Sequence, residues 1–553
     1  KKYIIMKKIT KILILIIVVI GIFPLAISQS SFYRKIAKSQ RLINQVYNQI
    51  FSTYLHELDP EAFTKASINA ITQNLDPYTT FMVEDEQHSI NILTKGEYGG
   101  VGIQLGYRNN IMSIVAPMDG GPAKEAGMMS GDIILKVDDE DVKKISFNEA
   151  AAKIRGKKGT KVKLTVKRYG DDDIIDFNLI RSKISVKDVT YSGLLSDEIG
   201  YIRLNRFSRN TANEVSGAIA QILNNDANSI IIDLRDNPGG LMDAAISILD
   251  MLIEKDKPLV STKGRAKNSN RTFYSRQNPL VPIDKKIAIL INQGSASASE
   301  IVAGAVQDLD RGIIIGQKSY GKGLVQSAFQ LDDKRAIKIT TARYYVPSGR
   351  FIQKRDYIDE KLIINETKED SVFKTISGRI VLGNGGITPD SLVQPELMKI
   401  LSSQYWRNGY FYAFAQQNKY KYTSFGEVEK DDQLLFDFKN FIKNKDPVTL
   451  PGKKDLDSFA LKIEKIDSTN SLVKSAIKSL NEFYFNKETT LRLEESDDIL
   501  QMLHLEFSGL FDGPVGRLKQ ALKDDRTIQL AVEMLTDDTI YNDTLKPSKL
   551  AKN

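Results

Sequence analysis

Lys322 stands in the stretch Gly316-Gln-Lys-Ser-Tyr-Gly-Lys-Gly323, where Gly316, Gly321 and Lys322 have the spacing of a phosphate-binding loop. Such a loop needs Ser or Thr directly after the lysine to ligate magnesium, and Gly323 holds that place. A lysine released from phosphate duty can do other chemistry. If poorly hydrated it sheds its proton near neutrality and becomes a base. Upstream, Ser295, Ser297 and Ser299 crowd the stretch Ser295-Ala-Ser-Ala-Ser-Glu300, which leads into an apolar run. A hydroxyl at a strand-to-helix turn shares its position with the free N–H groups and positive dipole end of the helix, which suits an anion developing on a carbonyl oxygen. The chain holds only His56, His88 and His504 and no cysteine, so acid-base work between residues 89 and 503 falls to Lys, Asp, Glu or Tyr. A plainer reading exists: Ser297-Ala-Ser-Glu300 has the form of a capping box in which the serine only starts a helix. Spacing alone does not choose among the three serines.

The elements around these residues are legible in outline. Between about 190 and 395, strands (199–204, 229–234, 286–292, 313–316) alternate with helices (211–223, 241–253, 298–309), which predicts a layered α/β domain. Lys322 lies between glycines and before Leu324 and Val325, in a stretch expected to press against that sheet. From 92 to 185 the pattern shifts to short strands (111–116, 131–137, 161–167) and two helices, one stopped by Gly127 and one at 147–155, as in a compact, partly open barrel. Residues 32–75 carry apolar positions at helical spacing, and beyond 395 the chain is polar and helical, a bundle or an oligomerisation arm.

The totals fit several domains: 553 residues, 42% hydrophobic, 26% charged, and a net charge of +8 with no basic block that would suggest nucleic-acid binding. Lys7, Lys8 and Lys11 precede an apolar run from Ile12 to Phe23 and then Pro24-Leu-Ala-Ile-Ser28. That order predicts a secretory signal, read from Met6 and cleaved after Ser28, with an uncleaved membrane anchor as the alternative. Either form places the bulk of the chain outside the cytoplasm, in the periplasm or on the outer face of the inner membrane. The absence of cysteine suits export.

Two stretches carry a resemblance. Gly99-Gly100-Val101-Gly102-Ile103 looks like the loop with which a PDZ domain binds a chain terminus, and Gly121 to Val142 resembles the most recognisable part of bacterial PDZ modules. Glycines there let successive N–H groups face a carboxylate, and the following edge strand accepts a peptide as an added strand. Together with Ser295–Glu300, Gly316–Gln326, Thr340–Arg350 and Asp233-Leu-Arg-Asp-Asn-Pro-Gly-Gly240, the chain from about 40 to 390 is similar to the C-terminal processing peptidases, or tail-specific proteases.

The resemblance implies a multidomain α/β fold. A layered, crotonase-like core at 186–395 would carry an inserted PDZ domain at 92–185, between a helical segment at 29–91 and a helical region at 396–553. It also implies roles. The family's serine precedes its lysine by 25 positions, which selects Ser297 for Lys322. Ser297 would be the nucleophile, Lys322 the general base, and Gln326 would orient the lysine. The N–H of Ala298 with that of Gly239 or Gly240 would form the oxyanion hole. Glu300 and Asp308 match acidic positions near the family site, and Arg155 resembles a PDZ arginine that helps switch such enzymes on. Implied partners are unfolded or tagged proteins met through their C-termini, with room for an adaptor, a membrane attachment and a homo-oligomer; no metal or organic cofactor is implied. Two rivals remain: a non-catalytic PDZ scaffold, and a phosphate-dependent enzyme built on Lys322.

Overall fold

The computed structural model describes residues 32–83, 96–108, 111–168, 174–332, 335–354, 372–383, 385–443, 445, 450–466 and 469–547. The segment 1–28, expected to be a secretory signal or membrane anchor, and His88 lie outside the described residues. Among the described residues no helix is long and apolar enough to cross a membrane.

The chain up to Asn74 is a unit by itself. A helix spans 32–53, and a second, Pro60–Gln73, begins where the Asp59 carboxylate accepts the Glu61 N–H with Pro60 at the first helical position. Tyr47, Phe51 and Phe63 join the two, with ring centroids 4.6–5.7 Å apart.

The second unit begins at Leu75. Asp76 folds the chain back on itself: its carboxylate accepts the N–H groups of Tyr78 and Thr79 and the Thr79 hydroxyl, each at 2.8 Å. Strand β1 (Thr80–Met82) follows.

The next eight strands are β2 (Glu97–Gly100), β3 (Ile103–Arg108), β4 (Ile111–Pro117), β5 (Ile133–Val137), β6 (Glu140–Asp141), β7 (Lys161–Lys167), β8 (Ile174–Ile180) and β9 (Ser182–Ser185). Helix α1 (Phe147–Ile154) lies between β6 and β7, started by a capping box of Ser146 and Glu149. The sheet runs β3-β4-β5-β7-β8, so β3 is an end strand, while β2 pairs with β9. Met112 and Ile114 of β4 join Leu164, Val166, Ala150 and Ile154 in a buried core. Ser113 and Val115, one residue out of phase, face the other way.

The α/β part contains β10 (Val189–Ser196), β11 (Ile199–Leu204), α2 (Thr211–Leu223), β12 (Ser229–Asp233), α3 (Met242–Leu252), β13 (Pro258–Gly264), β14 (Arg271–Tyr274) and β15 (Lys286–Ile291). It continues with α4 (Ala298–Asp308), β16 (Ile313–Gly316), β17 (Leu324–Gln330), β18 (Ala336–Tyr345), β19 (Val372–Lys374), β20 (Ile380–Leu382) and β21 (Ser391–Leu392). One sheet has the order β10-β11-β12-β15-β16-β21, parallel except for β10. Helices α2, α3 and α4 pack on one face, against Ile202, Ile230, Ile232, Ile287 and Ile289. A second, antiparallel sheet has the order β1-β18-β13-β14, with β17 also on β18.

The C-terminal helices include α5 (Ile400–Arg407), α6 (Tyr410–Asn418), α7 (Ser496–Lys523), α8 (Arg526–Thr536) and α9 (Asp538–Thr544). They form a bundle with an aromatic core of Tyr405, Phe411, Phe414, Phe438 and Phe507. The bundle is more than an arm. Ile528, Ala531, Met534, Leu535 and Tyr541 cover the other face of the six-stranded sheet, burying Tyr201, Ile231, Ala288, Leu290, Ile313 and Ile315. With both faces covered, β12, β15 and β16 read as continuous apolar runs.

Candidate active site

The chain leaves β15 at Ile291 and turns into α4 through the serine cluster. Ser295 and Ser299 are fully buried, and their hydroxyls donate to the carbonyls of Leu234 at 2.7 Å and Asn237 at 2.9 Å. Both therefore serve to fasten the turn. Ser297 is the partly accessible one, and its backbone sits at φ 55°, ψ −112°, outside the regions open to a non-glycine residue at little cost. A conformation of this kind costs about 1–3 kcal/mol and persists only where the surroundings enforce it. They do so here through Glu300. Half of the expected capping box forms: the Ser297 N–H donates to Glu300 Oε2 at 2.8 Å, while the Glu300 N–H donates to the Ser297 carbonyl oxygen at 2.9 Å in place of the hydroxyl.

Glu300 also joins this turn to the loop of Lys322. Its carboxylate accepts the Ser319 hydroxyl at 2.5 Å, the Gly321 N–H at 2.7 Å and the Lys322 N–H at 2.9 Å. Complete burial pushes its pKa up to about 7 against the lowering effect of these donors. The Tyr320 N–H donates to the Ser295 carbonyl at 3.0 Å, and the Tyr344 hydroxyl lies 2.7 Å from the Lys322 carbonyl oxygen and 3.1 Å from that of Ser297. The loop amides that a phosphate would need are thus taken, since the Gly323 N–H also donates to Gln353 Oε1 at 2.7 Å. That geometry removes the phosphate reading of Lys322.

The Lys322 amine lies 4.6 Å from the centroid of the Tyr78 ring. Burial first, then the like charge of Lys338, bring its pKa down to about 8, although Glu300 and Asp76 pull the other way. Among the described residues no hydrogen bond or ion pair of Lys322 Nζ is formed, with Ser297 Oγ or with any other group. Gln326 lies on β17 opposite Thr340, to whose hydroxyl its side-chain amide donates weakly at 3.4 Å. The Thr340 hydroxyl in turn donates to Asp76 Oδ1 at 3.2 Å. Asp76, Tyr78 and Tyr344 escaped sequence reasoning. The only signals were the turn-forming Asp76-Pro-Tyr78 and the tyrosines following Thr340, neither of which is tied by spacing to Lys322.

Gly239 presses on the serine turn from the loop after β12. At φ 94° it brings its backbone so close that a Cβ would lie 2.6 Å from the Ala296 carbonyl oxygen and 2.9 Å from Ala298 N and Ser297 Cβ. Its own N–H donates to Asn237 Oδ1 at 2.9 Å. The N–H groups of Ala298 and Gly240 find no protein acceptor among the described residues. The loop is anchored by Asp233, which binds Arg203 at 2.7 Å, Arg235 at 2.6 Å and the Tyr201 hydroxyl at 2.8 Å. Burial raises the Asp233 carboxyl, but Arg235 and Arg203 outweigh it and hold the group below the usual range. Arg235 also binds Asp525, the N-cap of α8, at 2.6 Å.

Asp308, at the far end of α4, forms a fully buried pair with Arg350 at 2.8 Å and accepts the Ser348 N–H at 2.9 Å. It braces the turn after β18. In the barrel, Gly99 and Gly100 belong to the ladder of β2 with β9, so the turn proper is Val101-Gly102, with Gly102 at φ 73°. The Gly99 carbonyl accepts the Gly156 N–H at 3.0 Å, which leaves no room for a Cβ at Gly99. Val101 and Ile103 are buried beside the turn. Arg155 is exposed, its guanidinium 5.7 Å from the Tyr98 ring centroid.

The model of peptidase family S41 matches residues 198–361, and that of the PDZ domain matches residues 113–168. A carboxy-terminal-processing protease of Bartonella bacilliformis is 38% identical over 330 residues, which span 59% of this chain and 74% of that protein. This chain belongs to peptidase family S41. A carboxyl-terminal-processing protease of Synechocystis is 34% identical over 368 residues, 63% of this chain and 84% of its own length. A solved photosystem II D1 C-terminal processing protease aligns over 64% of this chain and 87% of its own at 24% identity, with a TM-score of 0.36. The S41 chain is a serine-type peptidase that carries a PDZ domain, a peptide-binding module.

Proposed function

We propose that this S41 peptidase processes the C-terminal ends of exported proteins with a dyad of Ser297 and Lys322. The observation that carries the reading is the Lys322 amine: half-buried, with its pKa brought down to about 8, on a loop tied through Glu300 to the turn that presents Ser297. In the reaction the neutral amine leaves the Tyr78 face and takes the proton from Ser297 Oγ as that oxygen attacks a peptide carbonyl. Negative charge collects on the carbonyl oxygen beside the N–H groups of Ala298 and Gly240, and one such donor is worth about 3 kcal/mol. The lysine then returns the proton to the departing amine. Water, deprotonated by the same lysine, clears the acyl group from Ser297.

The core that holds the dyad is of the layered, crotonase-like kind. The PDZ domain captures the tail of an unfolded or tagged protein at the Val101-Gly102 turn and along β3, and a site outside the cytoplasm follows from the leader at 1–28. The test incubates wild type, Ser297→Ala and Lys322→Ala with an unfolded protein bearing an apolar C-terminus, and follows fragments by mass spectrometry. Fragments with wild type alone are expected. Cleavage by either variant at the wild-type rate would remove the dyad.

A further inference from the structure

A cavity of about 580 Å³ lies between the outer face of β3 and β4 and the C-terminal helices. Gly106, Ser113 and Val115 form its floor, and Trp406, Arg407 and Leu510 stand among its walls. A Cβ on Gly106 would lie 2.9 Å from Val115 Cγ2, so Gly106 points the same way as Val115, away from the PDZ core. Tyr107, the next residue, leans toward Phe147 of α1, with ring centroids 5.5 Å apart, and its half-exposed side chain edges the same cavity. Helix α6 closes on the same module, where Gln416 fills the space a side chain at Gly131 would need.

β3 is the end strand of its sheet, so a tail added to it projects alternate side chains toward α1 and toward this cavity. On an isolated PDZ domain the outward side chains would meet only water. Here they meet the C-terminal bundle, and Gly106, with no side chain, leaves the way open from the strand edge. Counting about 3.3 Å per residue from a terminal carboxylate at the Val101-Gly102 turn, the fourth residue from the end comes level with Gly106 and faces outward. Two cations line the cavity. Arg517 is paired with Glu506 at 3.0 Å, whereas Arg407 is exposed and makes no ion pair among the described residues.

We infer that the C-terminal helices form a second wall of the tail-binding site, in which Arg407 selects substrates with Asp or Glu at the fourth position from the C-terminus. The inference rests on tail capture by the PDZ domain, as proposed above. The test measures fluorescence anisotropy of labelled ten-residue peptides with full-length protein carrying Ser297→Ala. The peptides end in a free acid or an amide and carry Glu, Gln or Lys at the fourth position. The acid form with Glu should bind about fivefold more tightly than that with Lys, the size of an exposed ion pair. Arg407→Gln should level the two and Arg407→Glu should reverse them, with the preference for a free acid over an amide kept in each variant. Equal binding of acid and amide would overturn tail capture itself. A kept acid preference with indifference to the fourth residue, or a Glu preference unchanged in Arg407→Glu, would overturn the second wall alone.

Discussion

At the scale of residues, the site is a small set of side chains drawn from distant parts of the chain and fixed by one buried carboxylate. Glu300→Gln keeps the shape but turns an amide N–H₂ toward the N–H groups of Ser297 and Lys322, which donate to Oε2 at 2.8 and 2.9 Å. It should cost about 2–3 kcal/mol of stability and on the order of 100-fold in kcat, read by thermal unfolding and peptide turnover. Lys322→Arg keeps the charge but cannot become neutral at working pH, so it should lose roughly 100- to 10,000-fold in turnover while unfolding like wild type. The proposed chemistry starts from residue types, because a span without histidine or cysteine leaves Lys, Asp, Glu or Tyr as the base for a serine. Which serine was not legible from the pattern, since all three share the same local context. The family resemblance selects Ser297, and the fold buries Ser295 and Ser299 against the carbonyls of Leu234 and Asn237 and leaves Ser297 partly accessible. Tyr344 and Asp76 reach the site from β18 and from the turn before β1, placements that no local spacing encodes.

At the scale of elements, the turn between β15 and α4 works because the loop after β12 comes close enough to touch it. Gly239→Ala would drive a Cβ to within 2.6 Å of the Ala296 carbonyl oxygen, on a backbone at φ 94°. We expect kcat to fall on the order of 100-fold with a smaller change in KM, since the displaced groups face the transition state more than the bound tail. The strands at the centre of the parallel sheet were readable from sequence, for the helices on both faces make them apolar throughout. The antiparallel sheet was not. Its strands β14 and β17 are largely solvent-facing, and β18 mixes Lys338, Thr340 and Thr341 with its apolar residues, so no clean period marks them. β8 and β9 were also missed, although Ile175, Phe177 and Leu179 of β8 alternate with exposed residues; β9 has only four residues, too few to show a period.

At the scale of the whole molecule, the region beyond 395 is part of the enzyme's core and its PDZ surround. Truncating the chain before Asp525 would bare the sheet face of Tyr201, Ile231, Leu290 and Ile315 and leave Arg235 without Asp525. Uncovering that face should cost roughly 5–10 kcal/mol, as much as the net stability of a typical domain, and the shortened protein should be insoluble or unfolded by circular dichroism. The arrangement also ties the loop after β12 to the N-terminus of α8, so the bundle that walls the PDZ edge strand reaches the catalytic sheet through continuous structure. The proposed dyad sets one chemical condition on all of it, a neutral amine at Lys322 available to Ser297. The most direct measurement is the rate at which an activated acyl reagent modifies Ser297, followed from pH 6 to 10 by intact-protein mass spectrometry. Because burial lowers the lysine and the neutral form is the base, the rate should climb with pH to a plateau with a midpoint near 8, and Lys322→Ala should remain at the floor throughout. A rate indifferent to pH across that range, or an equal rate in Lys322→Ala, would contradict it.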